Sequence, residues 1–335
     1  MVARVELLCV KPLVFAESGV MSLPDPPAGK TGWPWTPDET QANNSLENYP
    51  KITVVTPSYR HGHYLEETMR SVLLQDYPNL EYVVIDGGSE DETKQLLERY
   101  DRQLSYWVSE PDRGHAHALN KGFARATGEI LAWLNAGDTY FPQALHHVAQ
   151  VFQTFPYIEW LTAAQQGHYY EETGATTSFV PGFSKSFFMA GGYLGFEPFA
   201  LDFIQQESTF WRKFLWDEAG SQLNESLRMA NDFELWRRLF THADLALLDA
   251  PLGCFRHHAD QRSAQQSALY KQEAWACLGR QGNSLLSCAY RIFRKLRLDK
   301  HMEWRAMLRP FYQQEIRFVT FGQAGKLHCE RRKLL

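Results

Sequence analysis

Apolar residues along this chain follow two rhythms that alternate. Short, nearly continuous runs at residues 52–56, 81–85, 104–108 and 129–134 are each stopped by Gly, Pro, Ser or Asp, the pattern of parallel strands buried on both faces. Between them, apolar positions recur at helical spacing. Leu65, Met69, Val72 and Leu73 predict a helix over 64–75, ended by Tyr77-Pro78, and Ala118, Leu119, Gly122, Phe123 and Ala126 predict one over 115–126 that packs closely through small residues. Ser89 with Glu92 three residues on reads as a capping box opening a helix through Tyr100. Strands and helices alternating at this pitch imply a mostly parallel sheet flanked by helices, with right-handed crossovers. Ligands of such sheets bind beyond the carboxyl ends of the strands. Residues 56–60, 86–89, 110–114 and 135–138 should therefore converge on one crevice.

The rhythm weakens on either side. Residues 1–50 are rich in Pro, Gly and Asn and read as an irregular arm, with Trp33 and Trp35 placed to dock on the main body. A helix over about 142–153 is followed by short strands at 157–162 and 168–170. An aromatic, Gly-rich stretch at 179–203 reads as an adaptable loop region on the acceptor side, and 206–212 as another strand. Phe233, Trp236, Leu239 and Phe240 then form the apolar stripe of a helix. Beyond Ser263 the chain reads as helical. The organisation predicted is an arm at 1–50, an α/β domain at 51–265 and a basic helical C-terminal extension at 266–335.

Composition narrows the classes. The 335 residues are 44% hydrophobic and 22% charged, with a net charge of −5; nothing in that balance points to nucleic acid as a partner. Five widely spaced cysteines, none at Cys-x-x-Cys spacing, fit a reducing compartment rather than a disulfide framework or a zinc ribbon. No run approaches the roughly 20 apolar residues that cross a bilayer, so the expected location is cytoplasmic. One asymmetry qualifies this: residues 291–335 carry twelve Lys or Arg against four Asp or Glu. That basic tail suits peripheral contact with the inner face of an anionic membrane, or equally a solvated helical face paired with the acidic body.

The chemistry-bearing residues exclude two familiar phosphate sites. The turn after the first strand reads Thr56-Pro-Ser-Tyr-Arg-His-Gly62, so neither a Gly-x-Gly-x-x-Gly fingerprint nor a Gly-x-x-x-x-Gly-Lys-Ser/Thr loop is present. The strand ends carry instead Asp86, able to accept bonds from a base or ribose, Arg113 and Lys121, able to neutralise phosphate, and Asp138, able to hold a hard divalent cation. Each has a plainer reading. Asp138 also suits the turn before Pro142, Lys121 an ordinary surface charge, and Asp232 a helix N-cap. Trp133, Trp211 and Trp236 read as core.

The ordered series Ile52-Thr-Val-Val-Thr-Pro-Ser-Tyr59, Tyr82-Val-Val-Ile-Asp-Gly-Gly-Ser89, Trp107-Val-Ser-Glu-Pro-Asp-Arg-Gly114, Asn120-Lys-Gly-Phe123, Trp133-Leu-Asn135 with Asp138, Ser208-Thr-Phe210 and Asp232 to Trp236 resembles the nucleotide-sugar glycosyltransferases of family 2. The likeness spans about residues 51–263. It implies a GT-A fold, the Rossmann-like α/β fold of nucleotide-diphospho-sugar transferases, and an inverting transfer of sugar from a nucleotide-diphosphate donor, a UDP-sugar, to a saccharide or lipid-linked acceptor in cell-surface polysaccharide synthesis. It further implies that Thr56, Pro57, Ser58, Tyr59, Asp86, Gly88, Ser89, Arg113, Gly114, Lys121 and Asn135 bind the nucleotide. Asp138 would hold Mg²⁺ or Mn²⁺, with His258 of Phe255-Arg-His-His258 as a second candidate ligand. Asp232 would be the base, with Glu234 as the alternative. Three places depart from the pattern: Arg60-His-Gly-His63 replaces a more neutral segment, and Gly137 and Asn231 stand where the family carries acids. The last two favour the competing reading, a non-catalytic relative that binds nucleotide-sugar or glycan as an assembly partner.

Overall fold

The computed structural model describes residues 23–38, 46, 48–189, 191, 193–194, 203–258, 261–279 and 315–333. The first half runs as the hydrophobic rhythm predicts: β1 (Ile52–Ser58), α1 (Gly62–Leu73), β2 (Leu80–Asp86), α2 (Thr93–Arg99), β3 (Tyr106–Ser109), α3 (His115–Phe123) and β4 (Ile130–Trp133). Every residue of β1 is buried. Its two interior threonines meet partners: Thr56 Oγ1 lies 3.0 Å from the Tyr82 hydroxyl, and Thr53 Oγ1 accepts the Gly128 N–H at 2.9 Å. The chain packs α3 onto β1 through Gly122, where a Cβ would stand 2.3 Å from Val55 Cγ1.

The second half follows as β5 (Thr139–Tyr140), α4 (Ala144–Thr154), β6 (Trp160–Tyr170), β7 (Gly174–Phe179), α5 (Lys185–Met189), a single-turn helix Gln206–Ser208, β8 (Phe210–Arg212), α6 (Lys213–Glu218), α7 (Asn231–His242), β9 (Leu245–His257), α8 (Arg262–Gln265), α9 (Ser267–Cys277), β10 (Glu315–Phe321) and β11 (Leu327–Lys333). The sheet order is β11-β10-β9-β6-β8-β4-β1-β2-β3, with β5 on β9 and β7 on β6. β3, β2, β1 and β4 run parallel, as do β6, β9 and β10; the short β8 is antiparallel to both β4 and β6 and joins the two groups. One core lies on each face. Trp133, Trp160, Trp211 and Trp236 are at most 2% exposed in the core under α7, Trp133 and Trp236 stacking at 5.8 Å and 10°. Trp133, Trp211 and Trp236 are core, as predicted, and Trp160 joins them.

Several elements differ from the sequence reading. Ser89 opens no capping box. Its hydroxyl serves Asp86 and Arg60, and Asp91 accepts the Gly62 and Thr93 N–H groups at the starts of α1 and α2. The two short strands at 157–162 and 168–170 are one eleven-residue strand, β6, and the 206–212 strand is a helical turn followed by three strand residues. Among the described residues of the C-terminal extension, the α-helix is α9, where the extension begins. Glu315–Phe321 and Leu327–Lys333 form a hairpin that lengthens the sheet beside β9, because Ile316, Phe318 and Val319 are buried there. Charged residues on β11 blunt the exposed edge. The rest of the basic tail, residues 280–314, lies outside the described residues, as do residues 1–22 of the arm and 195–202 of the Gly-rich stretch. No helix among the described residues is long and apolar enough to cross a membrane.

The arm docks as its tryptophans suggested. Trp33 Nε1 donates to the Tyr140 carbonyl at 2.7 Å, and Trp35 is 9% exposed. Arg70, buried on α1, donates to the carbonyls of Pro24, Pro34 and Trp35 and to the Tyr100 hydroxyl. One guanidinium thus satisfies three arm carbonyls that would otherwise be desolvated without partners.

Candidate active site

Parallel register sets the first part of the rim: Ser58, Asp86 and Ser109 stand side by side at the carboxyl ends of β1, β2 and β3. Asp86 is fully buried. Its carboxylate accepts the Gly88 and Ser89 N–H groups at 3.2 and 2.8 Å and the Ser89 and Ser109 hydroxyls at 2.6 and 2.7 Å. Asp86 therefore shapes the loop that carries Gly88 and Ser89. Tyr59, half exposed, stands over that loop near Gly87 and Asp112. Thr56 and Ser58 are buried, and Ser58 Oγ has no partner among the described residues.

Arg113 and Lys121 are engaged elsewhere. Arg113 makes a forked pair with Glu225, at 3.1 and 2.6 Å, and Lys121 pairs with Glu110 at 2.6 Å. Gly114, with φ +117°, precedes α3, and His115 in its first turn lies 2.8 Å from Asn135 Oδ1. Burial pushes the His115 imidazole below its usual range.

The second part of the rim gathers around Asn135 and Asp138. Asn135 Nδ2 donates to Gln206 Oε1 at 3.0 Å and makes a long contact, 3.4 Å, with Asp138 Oδ2. Asp138 is 5% exposed and takes the Arg256 backbone N–H on Oδ1 at 3.0 Å. Burial, opposed by those bonds, pushes its carboxyl up to about 6. The Arg256 side chain does not pair with Asp138: its Nε donates to the Gly137 carbonyl at 2.8 Å and its Nη2 lies 2.7 Å from Glu67. Gly137 has φ +118°, a conformation that residues with a side chain rarely adopt, which accounts for glycine where an acid was expected.

β9, which brings Arg256 to Asp138, ends beside a ring cluster in which the His258 ring lies 5.2 Å from Tyr64 and 6.3 Å from His61. Among the described residues no three His, Cys, Asp or Glu side chains stand ready to hold a metal. The oxygen-only chemistry of Asp138 nonetheless fits Mg²⁺ or Mn²⁺, which typically take one or two carboxylates and complete their shell with phosphate oxygens and water.

α7 supplies the remaining acids. The backbone just before it is held from α9, where the Glu273 carboxylate accepts the N–H groups of Arg228, Met229 and Ala230 at 2.8 to 2.9 Å. Asp232 is not the N-cap of α7, a position that Ala230 holds without a side-chain bond. It accepts the Phe233 N–H at 2.7 Å and a long contact, 3.4 Å, from the Tyr270 hydroxyl, and burial pushes it up to about 6. Glu234 is held by Arg238, whose Nε lies 3.0 and 2.9 Å from its two oxygens, and by Arg237. A carboxylate so neutralised is a poor base, so the geometry favours Asp232 over the alternative. Asn231, buried beside Asp232, carries no charge, and its Oδ1 has no partner among the described residues.

The sequence reading missed Glu207. It is 3% exposed, and its Oε1 has no partner among the described residues. Burial, with the negative charges of Asp138 and Asp232, raises it well above the usual carboxylate range. The charges of Asp138 and Asp232, from two other distant segments, thus both act on Glu207. In the sequence it stands in the polar stretch Gln205-Gln-Glu-Ser-Thr209, where an acid is unremarkable.

Comparison with known proteins agrees with this architecture. Residues 53–186 match the family model described as Glycosyl transferase family 2. An uncharacterised glycosyltransferase of Nostoc sp. is 35% identical over 107 residues, 31% of this chain and 33% of that protein. One of Mycobacterium tuberculosis is 38% identical over 96 residues, 28% of this chain and 37% of that protein. Another, from Rickettsia conorii, is 26% identical over 221 residues, 64% of this chain and 35% of that protein. The chain thus matches about a third of the length of these relatives. Among solved structures, S. aureus TarS residues 1–349 in complex with UDP-GlcNAc superposes with TM-score 0.52 at 18% identity, covering 64% of this chain and 60% of that one. The same fragment with UDP gives TM-score 0.50 at 16% identity, over 85% and 98%. With its mixed sheet and its strand-end rim the chain has the GT-A fold, and over residues 53–186 it is similar to the glycosyl transferases of family 2.

Proposed function

We propose that this protein transfers a sugar, with inversion, from a nucleotide-diphosphate donor, a UDP-sugar, to a hydroxyl of a saccharide or lipid-linked acceptor. The observation that carries the reading is the convergence, at the strand ends, of the loop that Asp86 holds and the Asn135–Asp138 turn, which Asn135 ties to Gln206 beside Glu207. The Asp86 loop, with Tyr59 over it, is the nucleotide end, and Asp232 is the acceptor end. Asp232 accepts the proton of the acceptor hydroxyl as that oxygen bonds to the anomeric carbon and the bond from that carbon to the diphosphate breaks. A carboxyl near 6 suits the task, since it is ionised at neutral pH yet more basic than an exposed one. Asp138 would hold Mg²⁺ or Mn²⁺, which when bound neutralises charge on the leaving diphosphate.

The competing reading, a binding protein without turnover, is favoured by Asn231 and Gly137 in place of acids. A panel of donors and acceptors, assayed for UDP release with and without Mn²⁺, separates the two. The proposal predicts release that depends on acceptor and disappears in Asp232→Asn. Tight UDP binding without turnover in any pairing would favour the binding protein.

A further inference from the structure

Glu207 sits in a turn whose other polar groups are all committed. Gln206 Nε2 donates to the Trp133 carbonyl at 2.6 Å and Gln206 Oε1 accepts from Asn135. Ser208 Oγ bonds Gln205 Oε1 at 2.9 Å and accepts the Gly253 N–H at 3.0 Å. The turn is wedged against β9 so tightly that a Cβ on Gly253 would stand 2.2 Å from the Glu207 carbonyl oxygen and 3.0 Å from its Cγ. The backbone carrying Glu207 is therefore fixed, and its carboxyl is buried at 3% exposure with Oε1 unpartnered among the described residues.

A buried carboxyl with one oxygen unpartnered is costly to keep. The nearby guanidinium of Arg256 offers no relief, being spent on the Gly137 carbonyl and Glu67. Asn135, bonded to Gln206 Oε1 at 3.0 Å and in long contact with Asp138 Oδ2 at 3.4 Å, sets the turn that carries Glu207 beside Asp138. The charges acting on Glu207 from Asp138 and Asp232 are negative. Two carboxylates near one another without a cation invite one. The backbone at Gly137 disfavours a side chain where the resemblance looks for a second acid, whereas the turn at 206–208 delivers an acid from a different segment.

We propose that Glu207 supplies the second carboxylate of the divalent-cation and diphosphate site, with Asp138 as the first, in place of the acid missing at position 137. This rests on the functional reading above. A cation held there joins the nucleotide end of the rim to the acceptor end, where Asp232 lies.

The test is Mn²⁺ binding, read by electron paramagnetic resonance with UDP present, in the wild type and in Glu207→Gln, Glu207→Asp and Asp138→Asn. Glu207→Gln, near-isosteric and uncharged, should weaken Mn²⁺ by about tenfold or more, leave UDP binding in EDTA unchanged and melt no lower than the wild type. Glu207→Asp, which keeps a carboxylate, should fall between, and it decides the matter should the glutamine variant fail to fold. Wild-type Mn²⁺ affinity in Glu207→Gln, alongside its loss in Asp138→Asn, would overturn the inference alone. A wild type that binds neither UDP nor Mn²⁺ with UDP would overturn the functional reading with it.

Discussion

Asp86 and Glu207 are equally buried carboxyls on one strand-end rim, and they are treated in opposite ways. Asp86 receives four hydrogen bonds from Gly88, Ser89 and Ser109; Glu207 Oε1 receives none from the described residues. Four donors replace the water that Asp86 gave up, so its charge works inward, holding a loop. Glu207, Asp138 and Asp232 are under-solvated and the last two repel the first, which leaves their charge free to act on whatever enters. One end of the rim is built for shape and the other for chemistry.

The sharpest way to break the comparison is at the chemical end. Asp232→Asn should lower the rate of UDP release by about 10²- to 10⁴-fold, the usual worth of a positioned base, while UDP affinity, measured by calorimetry, stays the same. At the structural end the expected loss is of stability. Asp86→Ala leaves four donors short of an acceptor and should cost about 3 kcal/mol or more, seen as a lower denaturant midpoint, whereas Glu207→Gln should not lower that midpoint.

Acidity sharpens the contrast further. Asp232 is raised above its ordinary value of 3.8 to about 6, so the folded state holds its proton more tightly than the unfolded chain does. The stability this contributes is full below about pH 4 and lost as pH rises through about 6. Asp232→Asn, which has no proton to lose, should therefore be more stable than the wild type at pH 8, by about 1 kcal/mol once its partial exposure is discounted, and the difference should vanish near pH 4. The wild-type rate should climb through about pH 6 as Asp232 ionises. The smallest effect belongs to Glu234→Gln. With Arg238 already occupying that carboxylate, its turnover should stay close to wild type, and a collapse of activity there would move the base from Asp232 to Glu234.

How much of this was legible follows the same division. The run from β1 to β4 could be read because each strand is apolar on both faces and each helix shows one stripe. β9 escaped because Pro251 and Gly253 interrupt it. In the fold Pro251 pairs with Gln165 where the register of β6 shifts, an irregularity that tolerates proline, and Gly253 makes room for the Glu207 carbonyl. The terminal hairpin escaped with it, since β10 pairs with β9 and its arginines disguise the alternation: Arg317 lies over Tyr157 and Arg332 over Phe318. Asp138 and Asp232 stood in recognisable motifs. Glu207 did not, because what sets it apart is burial without a partner, a property of packing rather than of neighbouring letters. Glu273, which holds the backbone just before α7, was hidden for the same reason.

The most direct measurement is the anomalous scattering of manganese in crystals grown with UDP and Mn²⁺. The account predicts a single strong peak against the Asp138 carboxylate, within reach of Glu207, with the uridine end in the loop held by Asp86. A nucleotide-bound manganese seated away from both carboxylates would contradict it.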